Sequence, residues 1–197
     1  MKLVKTFIVL CLIVIVAAPI MAQNGPRRRN GCQNGGVNCP LAQTALAVQP
    51  LNSEEAAHLL YMREEEKLAL DIYQALYSKW NVRIFSNIAA SEQRHFDALG
   101  ILILRYGLSD PAQTTAGVFT NPDLQKFYND LLADGELTLT DALQVGVTIE
   151  ETDIDDLKAA IADTDNRDLL TVYGNLLNGS ANHLSAFNSH LEAVKSW

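Results

Sequence analysis

Four stretches of this chain repeat apolar side chains at the 3.6-residue period of a helix, and each sets an acid or an imidazole into its apolar stripe. From Arg83 to Tyr106 the stripe is Phe85, Ile88, Ala89, Phe96, Leu99, Ile103 and Tyr106. At about 100° per residue, Glu92 falls on its centre line and His95 lies about 60° to one side. From Glu54 to Trp80 the stripe is Tyr61, Met62, Leu68, Ala69, Ile72 and Leu76. Glu65 falls within about 20° of its centre, with Glu64 and Glu66 towards the flanks. Between Thr140 and Ile161 the stripe of Leu143, Gly146, Ile154, Leu157 and Ile161 has Glu150 at its centre and Asp153 one turn further on. Between Leu169 and Val194 it is Leu169, Val172, Leu176, Phe187 and Val194, with His183 in the middle and Ser180 beside it.

Burying a carboxylate in an apolar seam costs on the order of several kcal/mol unless a partner neutralises it. A metal ion, an Arg or a proton can each do so, and one Glu-x-x-His pair does not decide among them. Four helices carrying such groups match the way bundles build di-iron or di-manganese sites from inward-facing Glu and Glu-x-x-His side chains. The candidate metal ligands are therefore Glu65, Glu92, His95, Glu150, Asp153 and His183. Mixed imidazole and carboxylate donors suit iron or manganese better than zinc or calcium. Two iron ions are the first expectation, with manganese or a single ion as alternatives. For Asp153 the competing reading is the solvated acidic face of DIDDL. Tyr61, Tyr73, Tyr106 and Tyr173 could reach such a site, although an aromatic at helical spacing is usually core. Ser180 and Asn182 could tune a ligand by hydrogen bonding. His58 and His190 read as helix-end or structural residues, and no catalytic residue can be named.

The connections predict how the helices are wired. Trp80 to Val82 is a tight turn and DTDNRD a short link, giving two antiparallel hairpins. Between them run about 33 residues from Gly107 to Leu139. Within this stretch PDLQKFYNDLLADG reads as a short extra helix, started by Asn121-Pro122-Asp123 and stopped at Gly135. The expected fold is all-α, a ferritin-like four-helix bundle of two hairpins with a long crossover.

Ahead of the bundle domain, 51–197, the chain changes character twice. Residues 1–22 carry two Lys, an apolar run and a small residue at Ala22, which reads as a secretory signal peptide. A retained N-terminal membrane anchor is the alternative. Residues 23–50, with RRRNGCQNGGVNCP, read as a flexible Gly/Asn/Arg-rich arm. Cys32 and Cys39 are the cysteines left after cleavage, and outside the cytoplasm they are expected to form one small disulfide. The expected location is secreted or periplasmic, with no stable membrane insertion once the leader is gone.

Charge excludes one class of partner. Residues 51–197 hold all 23 acidic residues but only ten of the 15 Lys and Arg, an excess of thirteen negative charges. That argues against nucleic acid and in favour of cations. Nothing resembles a nucleophile–base triad or a phosphate loop, which removes the usual hydrolase and kinase readings.

The segments LLYMREEEKLALDIY, FSNIAASEQRHFDAL, ALQVGVTIEETDIDDL and GSANHLSAF resemble the uncharacterised ferritin-like family DUF2202, over about Leu51 to Leu191. The resemblance implies a ferritin-like bundle with a carboxylate-bridged metal site and no established reaction. Carried over by position, that pattern asks for one Glu each from the first and third long helices and Glu-x-x-His from the second and fourth. Glu65, Glu92, His95, Glu150 and His183 fill five of the six places, and Ser180 stands where the sixth, a Glu, belongs. Asp153 could compensate. Three functions follow as expectations: an extracytoplasmic oxidoreductase reducing O2 or peroxide while oxidising metal, a non-catalytic iron or divalent-metal sequestration protein, or a structural bundle with a degenerate site. An oligomer is compatible with all three.

Overall fold

Asn52 sets the start of the first helix. Its side-chain oxygen accepts the backbone N–H of Glu54 and of Glu55 at 2.9 Å, while Glu55 Oε2 accepts the N–H of Asn52 at 2.9 Å. This reciprocal cap satisfies donors that the first turn cannot pair internally. The helix it opens, α1 (Ser53–Trp80), ends where Asn81 adopts the left-handed conformation, φ 53°, which Asn tolerates better than most residues. Two residues separate it from α2 (Arg83–Arg105). The computed structural model describes residues 49–195, and over them it is all-helical. The leader, the arm and the Cys32–Cys39 pair expected above lie outside the described residues. Among those described, no helix is long and apolar enough to cross a membrane.

The short extra helix, α3 (Pro122–Gly135), begins at Pro122 with Asn121 as its cap, as its sequence predicts. Thr138 caps α4 (Leu139–Ala162), and Asn166 Oδ1 accepts the N–H groups of Asp168 and Leu169 at the start of α5 (Arg167–Lys195). The helices joined by short links, α1 with α2 and α4 with α5, pack along their lengths.

The core falls into two apolar layers. One contains Leu68, Ile72, Tyr73 and Leu76 of α1, Phe85 and Ile88 of α2, Leu143 and Val147 of α4, and Phe187 of α5. The other contains Leu59 and Met62 of α1, Leu99 and Ile103 of α2, Leu157 of α4, and Leu169, Tyr173 and Leu176 of α5. On every long helix the acids and imidazoles singled out above fall between the two layers.

α1 differs from the other helices in being buried on all sides from Met62 to Tyr73. The run Arg63-Glu64-Glu65-Glu66-Lys67, which would ordinarily be a solvated face, is buried throughout. Its outward members hold the crossover. Glu64 accepts the backbone N–H of Thr120 at 2.5 Å and of Asn121 at 3.0 Å. Asp71 accepts the N–H of Gly117 at 2.8 Å, and Lys67 Nζ donates to Asp71 at 2.5 Å and to the carbonyl of Thr115 at 3.0 Å. Arg63 donates to both oxygens of Asp110 and to the carbonyl of Phe96, and lies over the Phe96 ring. Each of these buried charges thus has a stated partner, as burial requires.

Candidate metal centre

Between the apolar layers, four helices contribute donors to one buried centre. Two groups of three residues each bring ligand atoms within 4.8 Å of one another: Glu66, Glu92 and His95 in the first, and Glu92, Glu150 and His183 in the second. Glu92 belongs to both. His95 Nδ1 lies 2.8 Å from Glu92 Oε2 and 3.3 Å from Glu66 Oε2. On the other side, His183 Nδ1 lies 2.7 Å from Glu92 Oε1 and 3.4 Å from Glu150 Oε2. The two carboxylate oxygens of Glu92 therefore face different imidazoles.

These contacts are short without being aligned. Nδ1 of both histidines, Glu92 Oε1 and Glu66 Oε1 are fully buried and make no hydrogen bond. Buried polar atoms left unpaired are rare and require a reason. Donors crowded around a common point, close enough to hold a metal ion between them, supply one, and carboxylate with imidazole is a donor set that divalent transition metals accept.

Electrostatics point the same way. Burial pushes Glu92 up, but the His183 and His95 contacts outweigh it and hold this carboxyl at about 2. Burial pushes Glu150 to about 7, reinforced by Glu92 and offset in part by His183 and by the Tyr73 hydroxyl. Burial also raises Asp153 to about 7, against the Ser180 hydrogen bond. Glu66 and Glu65 are driven well above the ordinary carboxylate range by burial first and by Asp153 next. Burial lowers the histidines, yet Glu150 and Glu92 carry His183 to about 9, and Glu92 raises His95. Without metal, the charges in the layer can be balanced only by protons.

The structure brings Glu92, His95, Glu150 and His183 together as the sequence predicts. On α1 it differs: the carboxylate in the donor group is Glu66, where Glu65 was expected. Glu65 lies one position round the helix, beside Asp153 and within hydrogen-bonding reach of Asp156. The apolar stripe misplaces it because α1 is covered on its outer face as well, so Ala69 and Leu70 are buried and the stripe no longer marks a single centre. Asp153 is 6% exposed, which removes the reading of a solvated face. Ser180 Oγ donates to Asp153 Oδ2 at 2.5 Å, and Asp153 Oδ1 is left buried without a partner. Asn182 is exposed and plays no part in this layer.

The tyrosines separate. Tyr73, fully buried, donates to Glu150 Oε1 at 2.7 Å and so orients that ligand. Tyr61 lies within hydrogen-bonding reach of Asp156, while Tyr106 is tied to Asn166 and Asp168 away from the centre. Tyr173 lies in the second apolar layer. His190 is exposed and bonded to the Ala186 carbonyl of its own helix. Gly179 has a role the sequence did not signal: a Cβ there would lie 2.6 Å from His95 Nε2, so a side chain at 179 would push the imidazole away.

The family described as an uncharacterized protein domain, DUF2202, matches residues 55–195. The chain belongs to the DUF2202 family. The DUF2202 segment takes in both donor groups and, but for the first two residues of α1, all five helices of the described residues. The uncharacterized protein MJ0754 of Methanocaldococcus jannaschii is 48% identical over 145 residues, which cover 73% of this chain and 78% of that protein. The crystal structure of the hypothetical protein MJ0754 from Methanococcus jannaschii DSM 2661 is similar at a TM-score of 0.75 and 46% identity, covering 77% of this chain and 87% of that one.

Proposed function

We propose that this DUF2202 chain is a ferritin-like dinuclear metal protein that holds two iron ions and reduces O2 or peroxide while oxidising metal. One observation carries this reading: two three-residue donor groups share Glu92, and their buried imidazole nitrogens are close to carboxylates without hydrogen-bonding them. In this assignment Glu66 and His95 serve one ion, Glu150 and His183 the other, and Glu92 both. Asp153, with a buried unpaired oxygen, supplies the carboxylate that Ser180 cannot. Two ferrous ions sharing carboxylates would supply the electrons for reducing an oxygen species. The protein's part is positional. Tyr73 fixes the rotamer of Glu150, Ser180 fixes Asp153, and the apolar layers on either side keep bulk water from the donors. Residues 1–22 act in this proposal as a leader that sends the domain out of the cytoplasm.

Elemental analysis of protein purified from its native compartment, followed by optical spectra on adding ferrous iron and then peroxide or O2, tests the proposal. Two iron ions per chain and an absorption band growing with oxidation are expected. Tight binding without oxidation would make the protein a sequestration protein, and no bound metal would leave a structural bundle. N-terminal sequencing of the same material should begin near Gln23; an intact leader would overturn the assigned processing.

A further inference from the structure

Two acids beside the donor groups, Glu65 and Asp156, are not accounted for by the two ions. On α4, Glu150, Asp153 and Asp156 recur every third residue and run outward, from 2% exposed through 6% to half-buried. On α1 the corresponding descent is Glu66, Glu65, then half-buried Tyr61 and His58. Asp156 lies within hydrogen-bonding reach of Glu65 and of the Tyr61 hydroxyl and near His58, while Asp153 is the charged group that acts most strongly on Glu65. The acids thus form a file from the rim to the centre. Among the described residues no Lys or Arg pairs with Glu65, Asp153 or Asp156. Arg63 and Lys67, the nearest cations in sequence, are committed to Asp110 and Asp71.

An acidic file alone is common on an acidic protein. This one has a further property: Glu65, only 4% exposed, keeps Oε2 buried with no hydrogen-bond partner, and Asp153 does the same with Oδ1. Two buried oxygens with nothing to bind, set between a half-open acid and the donor groups, are suited to a cation passing inward. The file does not close into a third group of three converging donors like the central two. It would therefore hold an ion loosely.

We propose that Asp156 and Glu65 form a way-station that captures a divalent cation at the rim and passes it, by way of Asp153, to the central donors. The proposal rests on the central groups binding metal. It assigns Glu65 a role in loading rather than in the final coordination.

Cobalt(II) uptake by the metal-free protein, followed by stopped-flow absorption, tests both parts separately. The parent should take up two ions. Asp156→Asn and Glu65→Gln should each slow uptake about fivefold, as expected when a charge that focuses cations is removed, while the final number of ions and the final spectrum stay those of the parent. Asp155→Asn, exposed on the same helix next to Asp156, should load at the parent rate and so controls for net charge. Uptake by Asp156→Asn at the parent rate, or equal slowing by Asp155→Asn, would overturn the way-station and leave the metal centre standing. A lower final number or an altered spectrum in Glu65→Gln would make it a ligand of the centre and overturn its assignment to loading. A parent that takes up no cobalt would overturn both.

Discussion

Two sides of one helix treat buried carboxylates in opposite ways. On the outer side of α1, Glu64 accepts two backbone N–H groups of the crossover, and Asp71 accepts one along with the Lys67 ammonium. On the inner side, Glu65 and Glu66 are just as buried, yet each keeps an oxygen with no hydrogen bond. The residue types are the same and the burial is the same; only the satisfaction differs. Satisfied buried charge fastens a fold, whereas a buried carboxyl left without partners calls for another explanation, which the proposed metal ions supply. The outer acids tie a long connection to the bundle, and the inner ones leave coordination open.

The sharpest way to break this comparison is at the shared ligand. Glu92→Ala should reduce two bound ions to essentially none, since it removes a donor from both groups and leaves neighbouring carboxylates to repel one another. Metal titration reads the loss, and a variant that binds as many ions as the parent would sink the centre described here.

Next in size is the outer side. Glu64→Ala should lower stability by roughly 1–3 kcal/mol, because two backbone N–H groups lose their charged acceptor, while the number of bound ions stays at two. Urea unfolding and metal titration on the same sample measure both. Glu66→Gln should do the reverse, weakening the ion on the His95 side while leaving the metal-free protein as stable as the parent or more so. If the two variants gave the same pattern, the distinction between the sides would fail.

Stability against pH sharpens the contrast. In the metal-free protein Glu150 and Asp153 titrate near 7, and His183 near 9, all above their unfolded values. A raised carboxyl binds more protons folded than unfolded between about 4 and 7, and the raised imidazole does so from about 6.5 to 9. Both make stability fall as pH rises through those windows. Glu92, held near 2, acts oppositely, and its contribution is lost below about 4.5. Urea midpoints of the metal-free domain should therefore drop between pH 5 and 8.5, whereas metal affinity should rise over the same interval as protons leave the donors. A flat or rising midpoint would show that the inner layer does not store protons.

The smallest expected effect concerns Ser180. Asp153 already occupies the position against its hydroxyl, so Ser180→Glu alone should not tighten metal binding. Combined with Asp153→Ala, the new carboxylate should restore two-metal binding to near the parent level. Titration of the single and double variants separates the two cases.

Much of this protein follows from the sequence by itself. The apolar period, the caps at Asn121 and Pro122 and the short links at Asn81 and 163–166 specify the five helices of the described residues and their order, because each is a local rule that the backbone obeys wherever it sits. Glu92, His95, Glu150 and His183 were legible for a related reason: a polar group in the middle of an apolar face has to meet its counterparts from the other helices. Tertiary structure alone placed Glu66, and not Glu65, in the converging donor group. The crossover and the hydrogen bonds it makes to Glu64, Lys67 and Asp71 cover the outer side of α1, and a helix covered on every side no longer reveals its inward direction through hydrophobicity. The same holds for Gly179, whose missing side chain matters only because His95 of another helix lies against it. Periodicity reports which way a helix faces when one side meets water; with no such side, packing alone orients its side chains.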